Sequence, residues 1–216
     1  QAQVIIGTHA LFQEAVTFNK LGLVVIDEQH KFGVHQRLSL AQKAHNTPHQ
    51  LVMTATPIPR SLTMSAYADL DSSIIDELPP GRKPVKTIAI SADRKNEVIK
   101  KIKQVCNDNN QVYWVCTLIE ESEVLRAESA INTHHYLQEN LPNLSVVLIH
   151  GKMNKDEKSE IMRQFSANKI DVLVATTVIE VGVNVPNASL MVIENSERLG
   201  LAQLHQLRGR VGRGAD

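Results

Sequence analysis

The stretch "VVIDEQHKFG", residues 24–33, decides the fold. Aliphatic residues run straight into an acidic pair, Asp27 and Glu28, followed by Gln29 and His30. A buried charge is costly unless a partner meets it. Either the run leaves the core at Asp27, or a cation waits there. The wider run "LGLVVID" is continuous and β-branched, the pattern of a strand buried on both faces. Such strands belong to parallel sheets, whose ligands gather at the carboxyl ends of the strands.

The rest of the chain follows this pattern. "QAQVIIGTHAL" predicts a short strand at 3–6 and a loop at Gly7–His9, and "HQLVMTATP" a further strand. Pro57 and Pro59 break that strand, and Pro59 can open a helix through "RSLTMSAYADL". Residues 79–84, "PPGRKP", hold three of the eight prolines and mark a linker. Beyond it, "SADRKNEVIKKIKQVCNDNN" predicts a helix with Asp93 as N-cap and Val98, Ile102 and Val105 on one face. Strands follow at "QVYWVC", "SVVLIHG", "KIDVLVATT" and "SLMVIEN". Helices follow at "EESEVLRAESAINTHHYLQENL", at "NKDEKSEIMRQFSAN" with Asn154 and Glu157 near capping-box spacing, and at "LGLAQLHQLRG". Alternating strands and helices mean βαβ units. The fold class is α/β, with two parallel-sheet domains, the first incomplete. The expected organisation is 1–78 for the end of the first domain, 79–86 for the linker and 87–216 for the second. The strand-end loops of both sheets are expected to line one cleft.

Composition narrows the chemistry. Of 216 residues, 43% are hydrophobic and 21% charged, and 23 Lys+Arg balance 23 Asp+Glu. That balance excludes a uniformly basic nucleic-acid coat but leaves room for a local basic groove. No stretch approaches the roughly 20 apolar residues of a membrane span, so no membrane partner is expected. Two cysteines, Cys106 and Cys116, suggest a reducing, cytoplasmic compartment. The chain starts inside an apolar run and stops in "RGRVGRGAD", and it reads as a fragment of something longer.

The chemistry-bearing residues lie in the strand-end loops and in the arginine stretch that ends the last helix. Asp27 can hold Mg²⁺ through water while Glu28 polarises an attacking water; a turn cap beside a solvated glutamate is the plainer alternative. Thr54 and Thr56 in "LVMTATP" offer hydroxyls to a second domain, or simply end a β-branched strand. Gln206, Arg208, Arg210 and Arg213 in "QLRGRVGRG" place guanidinium groups between glycines, suited to phosphate oxygens. Thr176, Thr177, Glu180 and Gly182, with Gly151 and Lys152 and with Gly7 and Thr8, form loops that suit nucleic-acid phosphates. Nine histidines show no firm zinc pattern. His134 falls on an apolar helical face as a packed residue.

These stretches are similar, in order and spacing, to a known family. "VVIDEQH", "LVMTATPIPR", "VATTVIEVGVNVPNA" and "HQLRGRVGRG" resemble motifs II, III, V and VI of superfamily 2 helicases. "GTHAL" resembles motif Ib, and "QVYWVCTLIEESE" motif IV. "DEQHKFGVHQR" with "TATPIPRSLTMSAYADLDSSIIDELPPGRKPV" resembles the bacterial helicases of branched DNA. The resemblance implies two RecA-like domains with ATP and Mg²⁺ between them. Asp27 would coordinate the metal and Glu28 would be the catalytic base. Gln206, Arg210 and Arg213 would reach the nucleotide, with Gly182 and Asn184 near its edge. His30, Thr54 and Thr56 would couple hydrolysis to domain movement. Gly7, Thr8, Gly151, Lys152, Thr176 and Thr177 would hold the backbone of branched double-stranded DNA, bound by a monomer. Asn184 stands where the family usually has Asp, and Thr117 where motif IV often has Pro. No G-x-x-x-x-G-K-[ST] loop occurs in these residues, so the expected activity is that of the full-length parent, with the isolated fragment inactive. A transcription-repair coupling translocase, a non-catalytic nucleic-acid-binding module and a hydrolase with metal on Asp27, Glu28 and His30 are the alternatives.

Overall fold

The structure is a computed structural model that describes residues 2–28, 43, 47–54, 71–77, 84–117, 123–176 and 185–212. The chain divides into two compact units, Gln1–Asp71 and Ser72–Asp216. The division precedes the Pro-rich stretch, of which residues 78–83 lie outside the described set, as does the helix expected after Pro59.

The first unit holds two parallel strands, β1 (Leu23–Ile26) and β2 (His49–Val52), with Leu23 level with His49 and Ile26 with Val52. Val24 and Ile26 are buried, and Phe12, Phe18 and Leu21 pack against them. The other face differs from the sequence expectation. Leu23 is 56% and Val25 52% exposed, because the described residues supply an apolar layer to one face only. Residues 3–6 form no strand, and Val4 and Ile6 stand in solvent. Their apolar run lacks a neighbouring strand among the described residues, and unpaired backbone does not make a ladder. Instead a 3₁₀ turn forms at His9–Phe12.

The second unit is a four-stranded, all-parallel sheet in the order β4-β5-β3-β6. Its elements are α1 (Lys95–Asn107), β3 (Gln111–Cys116), α2 (Glu123–Asn140), β4 (Val146–Ile149), α3 (Lys155–Ser166), β5 (Val172–Thr176), β6 (Ala188–Glu194) and α4 (Leu201–Arg208). Alternation along β3 sends successive side chains to opposite faces. Val112, Trp114 and Cys116 meet Ile99 and Ile102 of α1 and Ala130 and Leu137 of α2. Tyr113 meets Met162 and Phe165 of α3, with its ring edge-on to Phe165 at 4.9 Å. The chain leaves β3 for the β4 edge over one face and returns to β5 over the other. Right-handed crossovers require that alternation.

Local signals explain the helix ends. α3 begins with the expected capping box: Asn154 Oδ1 accepts from Glu157 N at 2.8 Å, and Glu157 Oε2 accepts from Asn154 N at 3.2 Å. Asp93 does not cap α1. A 3₁₀ turn at Ala92–Arg94 intervenes, Asp93 accepts from Ser91 Oγ, and Arg94 occupies the cap position, paired with Glu97. The apolar face of α1 carries Val98, Ile102 and Val105 as expected, with Ile99 in addition. His134 is packed, its Nε2 lying 3.1 Å from the carbonyl of Val146. Both cysteines are free.

Candidate functional site

β1 delivers Asp27 and Glu28 at its carboxyl end, where the chain leaves the core. Asp27 is exposed, and its Oδ1 accepts from Glu28 N at 2.9 Å. Glu28 sits at φ 50°, a left-handed conformation that costs a non-glycine residue energy. It is half-buried, and its Oε2 is shielded from solvent. Such strain persists where surrounding structure enforces it. β2 runs parallel to β1, and Met53 N donates to Ile26 O at 2.8 Å, so Thr54 leaves the end of β2 on the side of the sheet where Asp27 and Glu28 leave β1. Neighbouring strands lie about 4.8 Å apart, so the acidic pair and the Thr54 hydroxyl share one strand-end edge. His30 and Thr56 lie outside the described residues.

In the same unit, Gly7 and Thr8 enter the 3₁₀ turn. A Cβ on Gly7 would lie 2.8 Å from Leu11 Cγ, so the turn itself demands glycine. Lys43 Nζ donates to the carbonyls of Leu11 (3.2 Å), Gln13 and Val16 (3.0 Å). One ammonium thus organises the segment that carries Thr8. Sequence reasoning missed Lys43, because nothing local marks a lysine that serves carbonyls 27 to 32 residues upstream.

The second unit splits its candidate residues between two ends of one sheet. At the carboxyl edge, Gly151 and Lys152 follow β4 and Thr176 ends the adjacent β5. Met153 N donates to His150 O at 3.2 Å, and Lys158 Nζ to Gly151 O at 2.6 Å. A Cβ on Gly151 would meet nothing within 4 Å. The protein therefore does not need glycine there, whereas a ligand backbone approaching closely would. Thr177, Gly182 and Asn184 lie outside the described residues.

Gln206 and Arg210 are not at that edge. α4 runs back against the strands, and Gly212 N donates to Ala188 O, at the start of β6, at 3.3 Å. Val211 is buried among Phe165, Ile170, Val185 and Ala188. Gly212 takes φ 69°, which glycine adopts freely. The arginine stretch follows the last turn of α4, at the end of the helix as its apolar pattern predicts, and lies beside the amino end of β6. The stretch is a fixed turn through residue 212, with Arg210 half-buried. Arg213 lies outside the described residues.

The β6–α4 junction is held by Thr117, marked in the sequence only as a departure from the family pattern, and by Glu194, which the sequence did not flag. The Thr117 hydroxyl sits between the carbonyls of Glu194 and Asn195, the latter at 2.9 Å, and donates to one at a time. Asn195 takes the left-handed conformation. The Glu194 carboxylate receives Lys95 Nζ at 2.9 Å, Trp114 Nε1 at 3.2 Å and Thr133 Oγ1 at 3.4 Å. Burial pushes the Cys116 thiol up to about 12, with the Glu194 charge adding to it, and the Cys106 thiol up to about 11, with Asp171 adding. Among the described residues no three His, Cys, Asp or Glu side chains gather as a metal site requires, and no helix is long and apolar enough to cross a membrane.

Comparison with known proteins matches this division. Residues 1–65 match the DEAD/DEAH box helicase family and residues 94–215 the helicase conserved C-terminal domain family. The chain is 62% identical over 218 residues to the ATP-dependent DNA helicase RecG of Pasteurella multocida, covering 99% of itself and 32% of that protein. It is 53% identical to RecG of Thermotoga maritima over 215 residues, covering 99% of itself and 27% of the relative. The chain thus spans about a third of the length of these relatives. A solved structure of RecG bound to a three-way DNA junction superposes with TM-score 0.67 at 48% identity, over 97% of this chain and 26% of that one. Saccharomyces cerevisiae Dbp5 bound to RNA and ADP BeF3 superposes with TM-score 0.60 at 14% identity, over 95% of this chain and 54% of that one, a likeness of fold. An acidic strand end beside a threonine, an arginine turn pinned to a parallel sheet and these matches lead to one statement: the chain belongs to the helicase conserved C-terminal domain family and is similar along its length to RecG.

Proposed function

We propose that this chain is part of an ATP-dependent DNA helicase that translocates on duplex DNA and remodels branched DNA, stalled forks and Holliday junctions among them, in recombination and repair. The carrying observation is the edge shared by Asp27, Glu28 and Thr54, in a chain 62% identical to RecG relatives. Residues 1–78 belong to the first motor domain, 79–86 to the linker and 87–216 to the second. The full-length protein acts as a cytoplasmic monomer.

The helicase family implies ATP. Mg²⁺ fits the acidic end of β1: Asp27 is an exposed hard-oxygen ligand with Oδ2 free of protein partners among the described residues. Asp27 would hold the ion through water, and the bound ion would supply neutralising charge for the phosphates. Glu28 orients and polarises the attacking water. Gln206, Arg210 and Arg213 stabilise the phosphoryl charge from the second domain, the task guanidinium suits. Gly182 and Asn184 lie at the nucleotide edge, and His30, Thr54 and Thr56 couple hydrolysis to movement. Gly7, Thr8, Gly151, Lys152, Thr176 and Thr177 hold the DNA backbone.

The test is ATP turnover by the full-length protein with forked, linear or no DNA, unmodified and as Glu28→Gln. Fork-stimulated turnover that falls about 100-fold or more in the variant is expected for loss of a general base. Turnover indifferent to DNA, or surviving the substitution, would overturn the reading.

A further inference from the structure

Arg208 is the arginine of the 206–213 stretch that the nucleotide reading leaves without a task. Its Nη2 donates to the carbonyl of Val85 at 3.1 Å, across 123 positions of sequence. Val85 follows Pro84, the last proline of the Pro-rich stretch read from the sequence as the linker. The Val85 side chain packs in the cluster that buries Val211, Phe165 and Ala188. The turn is fixed independently: Gly209 N donates to His205 O at 3.1 Å, Arg210 N to Leu207 O at 2.9 Å and Gly212 N to Ala188 O at 3.3 Å. One block therefore carries the start of β6, the arginine turn and the point where the chain enters the unit.

We propose that Arg208 is a coupling clamp, a positioning residue distinct from the nucleotide ligands. It fastens the entry segment at Val85 to the turn that bears Arg210. When nucleotide displaces the turn, the displacement passes to the connection with the first unit. This rests on the ATP-driven motor reading. The distinction has measurable content. A guanidinium that served phosphate would set ATP affinity and the chemical step. A clamp sets how much DNA movement each hydrolysis event yields.

The experiment uses the full-length protein, unmodified and as Arg208→Ala and Arg208→Lys, with forked DNA. It reads kcat and KM for ATP, and base pairs unwound per ATP. Arg208→Ala is expected to keep kcat and KM within about twofold while base pairs per ATP fall about threefold or more. Arg208→Lys still reaches a carbonyl with one donor and is expected to restore most of the yield. A tenfold rise in KM or fall in kcat with unchanged yield, roughly what loss of a charged phosphate contact gives, would make Arg208 a nucleotide ligand and overturn the clamp. An Arg208→Ala protein unchanged in all three would show the contact to be idle. No fork-stimulated turnover in the unmodified protein would sink the motor reading, and the clamp with it.

Discussion

Glu194 offers a prediction whose size follows from its partners. Glu194→Ala removes the acceptor for Lys95 Nζ, Trp114 Nε1 and Thr133 Oγ1. The ion pair is partly exposed, 34% and 26% at its two side chains, so it contributes about 1 kcal/mol at most. Lys95 is not left stranded, because it also lies over the Trp114 and Tyr136 rings at 5.4 and 4.6 Å. The larger loss is the indole N–H. Trp114 is 1% exposed, and orphaning a buried donor costs about 1–3 kcal/mol. The expected sum is about 2–4 kcal/mol. Glu194→Gln keeps an oxygen for Trp114 and Thr133 and loses mainly the ion pair, about 1 kcal/mol. Neither variant touches the main-chain carbonyl that Thr117 binds, so the backbone junction is held constant. Trp114 is the single tryptophan of the chain, and its fluorescence reports urea unfolding of the second unit. Equal losses for Ala and Gln, or a loss under about 0.5 kcal/mol for Ala, would refute the view that the indole bond dominates.

Two further predictions follow. Gly7→Ala must push Leu11 aside and is expected to lower stability by about 1 kcal/mol, whereas Gly151→Ala should leave the melting temperature unchanged and weaken DNA binding in the full-length protein; thermal melts paired with fork-binding titrations would contradict this if Gly151→Ala bound normally. For pH, burial keeps the Cys106 and Cys116 thiols protonated in the fold, raised to about 11 and about 12 from an ordinary 9.0. Their contribution is fully present below pH 9 and is lost as pH rises towards 11 and 12, because only the unfolded chain gains thiolate there. Urea midpoints between pH 8.5 and 10.5 should fall less in a Cys106→Ala, Cys116→Ala protein than in the unmodified one.

The strands of both sheets other than residues 3–6 were legible from their apolar runs, and so was the capping box of α3. Backbone periodicity and caps are local, and local signals survive in sequence. Residues 3–6 show the limit of that logic: an apolar run predicts burial, yet a strand needs a partner that the run does not specify. Asp93 had the right chemistry for a cap and lost it to a 3₁₀ turn. Of the candidate site, Asp27, Glu28 and Thr54 follow the carboxyl ends of two adjacent parallel strands, as two apolar runs in one parallel sheet require. The arginine turn was legible as a motif at the end of a helix, but its pinning to the start of β6 through Gly212 was not, because that contact spans the whole helix. Lys43, Thr117 and Glu194 act through groups distant in sequence, and no spacing rule encodes such contacts.

The bare face of the β1–β2 pair has a colloidal consequence. Leu23, Val25, Leu51 and Met53 all project from it, each at least 40% exposed. Two short parallel strands with an aliphatic outer surface form a template for further strands. Until some other surface covers it, such a face favours association, and a purified preparation of these residues is expected to scatter more light as its concentration rises.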